Sequence, residues 1–187
     1  MLKRLIVKII LKFRIIIYSI FSNNKNVIGC FISHQPIVLR GKGQITIGDN
    51  VNIGVINSPY FHNGYGYIEA RNESAKLNFG NNIHINNSFS IVSEKSIVIK
   101  DNVLIGFNCH IIDSAFHDLE IDKRKNTDPK PKEVIIEKNV FIGNNVTILK
   151  GVTIGKNTVV ASGSVVSESC PKNVIIGGVP AKVIKEL

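Results

Sequence analysis

Tryptophan is absent from this chain, methionine occurs once, and aromatic residues make up only 7% of its 187 positions. A core built on large rings is therefore excluded. Cysteine is scarce too: Cys30, Cys109 and Cys170 make an odd number with no CxxC spacing. A disulfide or zinc framework does not fit that pattern, and with no leader pattern ahead of them a reducing, cytoplasmic compartment is expected.

Acidic residues are missing from the first 48 positions, which hold eight Lys or Arg, while residues 49–187 hold fifteen bases against fourteen acids. The formal charge of +9 therefore resides in the amino-terminal segment and is not spread as in a nucleic-acid binder. Within that segment Arg4, Lys8 and Lys12 stand four apart and line one stripe of an expected helix, with Leu5, Ile6, Ile9, Ile10, Phe13, Ile16, Ile17 and Ile20 filling the rest. The longest uncharged run, Ile15 to Asn24, falls short of the roughly 18 residues that a membrane span needs. Two placements remain for residues 1–22: the headgroup region of an anionic membrane, or the surface of the domain's own body or a neighbouring subunit. Residues 1–26 are read as helix and link, and residues 27–187 as one domain.

What the chain has in abundance is Ile (32), Val (19), Asn (21) and Gly (15), against 9 Leu. β-Branched residues and turn formers in that proportion imply strands separated by tight turns. The arrangement is periodic. From Ile136, steps of six reach Ile142, Ile148, Ile154, Val160 and Val166, and two residues earlier in each unit stand Val134, Val140, Val146, Val152, Thr158 and Ser164. Polar pairs such as Asn144-Asn145 fill the gaps, and the same period recurs less regularly back to Ile47. A strand of two or three residues cannot bury its apolar side alone. Three hexads close a triangle whose inward aliphatics stack on the next coil about 4.8 Å away, which is a parallel β-helix. Cys109 falls among the inward positions and reads as a small buried hydrophobe.

Two stretches leave the period, about residues 60–76 and 113–133, and are expected to be loops thrown out from the prism. Excursions from a solenoid scaffold are where chemistry is usually placed.

Three segments carry a family resemblance: IVIKDNVLIGFNCHIIDSAFHD (97–118), VIIEKNVFIGNNVTILKGVTIGKNTVVASGSVV (134–166) and CPKNVIIGGVPAKVIKEL (170–187). Together they resemble the hexapeptide-repeat acyltransferases, in particular the sugar and polysaccharide O-acetyltransferases related to galactoside and maltose acetyltransferase. The resemblance implies an all-β, left-handed parallel β-helix with an N-terminal amphipathic helix, a protruding loop and a short C-terminal helix, assembled as a homotrimer. It implies transfer of acetyl from acetyl-CoA to a sugar hydroxyl, without a metal, with His117 as the base; an imidazole suits that task because its reference pKa of about 6.5 leaves a neutral nitrogen free at pH 7. Asp113 would orient that ring or meet a sugar hydroxyl. Asn144, Ser162, Ser167, Lys182 and Lys185 fall on positions that line the acetyl-CoA groove between neighbouring prisms, the lysines toward its phosphates. Glu168 stands where relatives often carry Lys. At the acceptor, Ser88 and Ser93 replace the Asn and Asp of the galactoside enzymes, so the acceptor residues become Ser88 and Asn87 and galactoside specificity is not implied. The short loop and basic helix look more like enzymes that decorate bacterial surface polysaccharide, working in the cytoplasm or at the inner face of the plasma membrane.

Three alternatives stand beside that reading. An N-acetyltransferase acting on an amino sugar would use the same base and groove. A γ-carbonic-anhydrase-like zinc protein would need His84, His110 and His117 to converge across subunits. A noncatalytic scaffold would keep the groove without turnover.

Overall fold

The computed structural model describes the backbone of residues 2–187 and the side chains of residues 6–187. After a helix over Leu2–Ile20, short strands follow one another from Val27 to Glu186. They form three sheets of six, eight and six strands, and the chain visits the three in rotation as far as Val165–Val166, after which Val174–Gly178 and Ala181–Glu186 both join the second. The first face holds Val27–Ile28, Gln44–Ile47, Lys76–Phe79, Ser96–Ile99, Val134–Ile136 and Thr153–Ile154; the second and third faces take the strands that follow each of these. This rotation makes a parallel β-helix, left-handed as the family resemblance implies, an exception to the usual hand of parallel crossovers.

Register explains the period. Phe79, Ile99, Ile136 and Ile154 pair in one column on the first face. Ile53, Ile85, Ile105, Ile142, Val160 and Ile176 make the column of the second, and Ile68, Ile91, Ile111, Ile148 and Val166 that of the third. All are buried. Each such side chain contributes about 1.5–3 kcal/mol relative to exposure, an upper figure because the unfolded chain already hides part of its apolar surface. Cys109 joins this interior, and burial pushes its thiol up to about 11. At the corners Asn82, Asn102, Asn139, Asn157 and Asn173 all take left-handed backbone angles, φ 54° to 62°, a conformation Asn tolerates better than most residues.

Two expectations are corrected. Residues 181–186 form a strand, not a C-terminal helix: Ala181–Glu186 runs antiparallel to Val174–Gly178 across a two-residue turn at Val179-Pro180. Gly178 supplies the positive φ of 104° there, and the β-branched Val183 and Ile184 suit the strand. The first excursion spans residues 54–65, not 60–76, because Gly66–Ala70 is a strand of the third face. Its inward residues are Gly66, Ile68 and Ala70, so only one large aliphatic marks it. Gly66 is required: a Cβ there would lie 2.5 Å from the Phe89 ring.

The helix packs against strand Ile37–Gly41. Arg14 donates to the carbonyls of Phe61 and Gly64 at 3.2 and 2.9 Å, and Tyr18 meets Tyr65 with ring centroids 5.1 Å apart.

Candidate functional site

The rotation of the chain through three faces gives the prism three edges, and they are not alike. The edge between first and second faces has only tight corners. The edge between second and third carries the excursion 54–65 and, below it along the prism, Asn86–Ser88, Gly106–Asn108, Gly143–Asn145 and Ala161–Gly163. The edge between third and first carries the long arm 113–133, flanked by Arg71–Ala75, Glu94–Lys95, Leu149–Val152 and Ser167–Ser169.

The arm leaves the prism at Asp113, which is fully buried. Its Oδ2 accepts hydrogen bonds from Ser93 Oγ, Lys95 N and Ser96 N at 2.6–2.8 Å, and its Oδ1 from Glu94 N at 2.8 Å. Four donors saturate the carboxylate, so the expectation that Asp113 orients the imidazole or meets the acceptor is corrected: it ties the root of the arm to the preceding coil. Next to it Glu94, also buried, accepts from Ser114 Oγ, from Thr127 Oγ1 at 2.8 Å, and pairs with Arg71 at 3.5 Å. The returning limb is held by buried Asp128, which accepts from Ala115 N and Lys130 N at 2.8 and 2.9 Å and pairs with Lys150. Burial would raise the Asp128 carboxyl; the Lys150 ammonium and the two amides outweigh it and hold it at about 2.

His117 projects from this platform, exposed to solvent. Its Nδ1 lies 2.9 Å from the Arg124 carbonyl oxygen. A carbonyl only accepts, so Nδ1 carries the proton, and Nε2 has no hydrogen-bond partner among the described residues. Phe116, beside it, has a left-handed φ of 61°, costly for a bulky residue, and its ring lies under the Arg71 guanidinium at 4.3 Å. Arg71, Glu94, Phe116, Asp128 and Lys150 are thus the residues that sequence reasoning missed. The one available signal was Glu94, a lone acid directly after a strand whose other residues are apolar or small.

Asn87 and Ser88 lie on the other decorated edge. Asn87 is fully buried: its Nδ2 donates to the carbonyls of Val55 and Pro59, both at 2.9 Å, and its Oδ1 accepts from Val55 N at 3.0 Å. It fastens the excursion 54–65 and has no atom to offer an acceptor, which corrects that expectation. Gln35, equally buried, completes the fastening through Tyr60 O and Ser88 N. Ser88 remains half-exposed at the foot of the excursion.

Asn144 and Ser162 stack on this same edge, Asn144 N donating to Ser162 Oγ at 3.0 Å and Asn144 Oδ1 accepting from Phe107 N at 3.0 Å. A shallow cavity of about 270 Å³ adjoins them, lined by Val55, His84, Asn86, Leu104, Phe141 and Asn144 among others. Ser167 is on the arm's edge, and Lys182 reaches it by pairing with Glu168 at 2.9 Å. Lys185, exposed, pairs in register with Ile175. The predicted site residues therefore fall on two different edges. Within one prism His117 stands on a different edge from Asn144 and Ser162.

His84 sits on the second face and His110 on the third. Among the described residues no group of three or more His, Cys, Asp or Glu side chains stands together as a metal site.

A family described as bacterial transferase hexapeptide (six repeats) matches residues 133–168. The chain is 39% identical to a galactoside O-acetyltransferase of Escherichia coli over 59% of its length, and spans 57% of that relative. It is 30% identical to an E. coli protein named for O-acetyl transfer in lipopolysaccharide biosynthesis, covering 84% of this chain and 79% of the other. Among solved structures, a hexapeptide-repeat-containing acetyltransferase of Vibrio cholerae complexed with acetyl coenzyme A aligns over 75% of this chain and 70% of that one, with a TM-score of 0.56 and 30% identity.

Proposed function

The chain belongs to the hexapeptide-repeat acyltransferases, and from that premise we propose that it transfers acetyl from acetyl-CoA to a hydroxyl of a sugar in bacterial surface polysaccharide, working in the cytoplasm. One observation carries the assignment: an exposed imidazole on a braced arm, its Nδ1 donating to the Arg124 carbonyl and its Nε2 without a partner among the described residues.

In this reading His117 Nε2 takes the proton of the acceptor hydroxyl as that oxygen attacks the thioester carbonyl. The Arg124 carbonyl holds the ring in place and stabilises the imidazolium that forms. The C–S bond then breaks, and the imidazolium returns its proton to the departing sulfur. Charge developing on the carbonyl oxygen needs a donor, and backbone N–H groups on a neighbouring prism's edge are the available class. The separation of His117 from Asn144 and Ser162 on two edges supports a homotrimer, with each active site shared between neighbours. Asn144 and Ser162 would then meet the pantetheine arm of one acetyl-CoA, Ser167 would line the same groove, and Lys182 and Lys185 would face its phosphates. Ser88 is the acceptor-side residue. The kinship to a protein named for lipopolysaccharide biosynthesis supports a surface-glycan acceptor.

Incubation with acetyl-CoA and a panel of nucleotide sugars and surface glycans, read by mass for the gain of one acetyl group, tests this. The product should be an ester, cleaved by mild base. A base-stable amide would make the enzyme an N-acetyltransferase of an amino sugar. Turnover undiminished in His117→Ala would remove the assigned base.

A further inference from the structure

The N-terminal helix uses only part of its circumference against the body. Leu11, Arg14, Ile15 and Tyr18, spaced three and four apart, are half-buried against the prism, with Ile17 at the border. Ile6, Ile9, Ile10, Phe13, Ile16 and Ile20 recur at the spacing of one helical stripe and stay 47% to 75% exposed. On a helix of 100° per residue this stripe is centred nearly opposite the docked one. The outward stripe is entirely apolar.

Its border is charged with one sign. Lys8 and Lys12, both exposed, run along one side of it, whereas Arg14 is committed to Phe61 and Gly64. No acid occurs before Asp49. A second helix of this kind would bring Lys8 and Lys12 against like charge, whereas an anionic bilayer offers phosphates to the lysines and acyl chains to the stripe beside them. Among the described residues no helix is long and apolar enough to cross a membrane.

We propose that the outward face of helix Leu2–Ile20 lies in the headgroup region of an anionic phospholipid bilayer, so that the prism stands on a membrane surface with its docked stripe as the hinge between lipid and protein. Apolar burial holds it there, and Lys8 and Lys12 select for negative charge. Binding is read without turnover, so this inference and the acetyl-transfer reading stand or fall separately.

The full chain should float with vesicles of phosphatidylglycerol and phosphatidylcholine, bind phosphatidylcholine vesicles weakly, and lose affinity as salt is raised. The double substitution Ile9→Asp/Phe13→Asp, which leaves the docked stripe intact, should lower partitioning about tenfold or more. Lys8→Gln/Lys12→Gln should abolish the preference for anionic lipid while light scattering reports an unchanged oligomer. Absence of vesicle binding, or binding indifferent to both pairs of substitutions, would overturn the proposal. So would dissociation of the oligomer in Ile9→Asp/Phe13→Asp without lipid, since the stripe would then be a subunit contact.

Discussion

Two edges of the same prism, built from the same hexads, solve the corner problem in opposite ways. Between first and second faces every corner is short, and its polar groups are met by the equivalent corner of the next coil: Asn139 donates to Asn157 at 3.0 Å and Asn157 to Asn173 at 2.7 Å, all with left-handed backbones. Between third and first faces the chain inserts residues 113–133, whose own apolar side chains bury little; Leu119 and Ile121 are largely exposed. That segment is ordered by buried charge: Asp113, Glu94 and Asp128 each accept several donors. A repeating corner is held by what it repeats, whereas the inserted arm needs unlike, charged partners supplied by the coils on either side.

The largest effect belongs to the interior that both edges share. Ile154→Asp places a carboxylate among fully buried aliphatics, between Ile136 and the coil that follows. The loss of burial and the desolvation of the charge together exceed about 5 kcal/mol, a large part of a domain's stability. Circular dichroism should find the variant unfolded; a cooperative melt near that of wild type would mean the column does not carry the fold.

His117→Ala comes next and should separate the edges cleanly. The side chain is exposed, so melting should hardly move, while turnover falls about 10² to 10⁴-fold. Glu94→Gln asks whether the platform positions that imidazole. It removes the charge that Arg71 faces and weakens the link to Thr127 and Ser114. About tenfold should be lost from kcat with KM for acetyl-CoA little changed, and Glu94→Asp should recover part of it. Equal losses in His117→Ala with and without Glu94→Gln would show that both act through one group.

The contrast also explains which parts could be read in advance. Ile136, Ile142, Ile148, Ile154, Val160 and Val166 announce the prism because a buried column demands one kind of side chain at one interval. The strand at Gly66–Ala70 escapes the same scan, since Phe89 fills the space above Gly66 and the large residue belongs to another coil. The C-terminal hairpin was hidden likewise, AKVIKE being short enough to serve as either element until Val174–Gly178 offers it an edge. At the site, His117 was visible through its place in a matched loop. Asp113 and Asn87 were visible as polar residues just past the ends of strands on two different edges, yet their partners, coming from Ser93 to Ser96 and from Val55 to Pro59, are set by coil stacking that no local pattern reports.

Asp128→Asn tests the returning limb through pH. The folded carboxyl is depressed from 3.8 to about 2, so its pairing contributes stability that is complete above the unfolded value and disappears as pH falls through the folded one. At pH 7 the substitution should cost about 1–3 kcal/mol. Melting curves of wild type and variant should draw together between pH 4 and pH 2, because the wild-type group is then protonated as well; a gap that stays constant down to pH 2 would mean the Lys150 pair is not its source.

The smallest effect is expected at Lys182, proposed above to face the CoA phosphates. Lys182 and Glu168 are both exposed, at 62% and 70% of their side-chain surface, so the pair contributes about 0–1 kcal/mol to stability and exchanges readily. If Lys182 faces the CoA phosphates as proposed, a phosphate must displace Glu168 from the ammonium, and that competition would lower its apparent affinity. Glu168→Gln should therefore reduce KM for acetyl-CoA severalfold, Lys182→Ala should raise it by a similar factor, and both shifts should shrink in high salt. Neither should alter kcat, since the phosphates lie far along the donor from the carbon that reacts. If Lys182→Ala changed kcat and left KM alone, the lysine would belong to the arm and not to the donor groove.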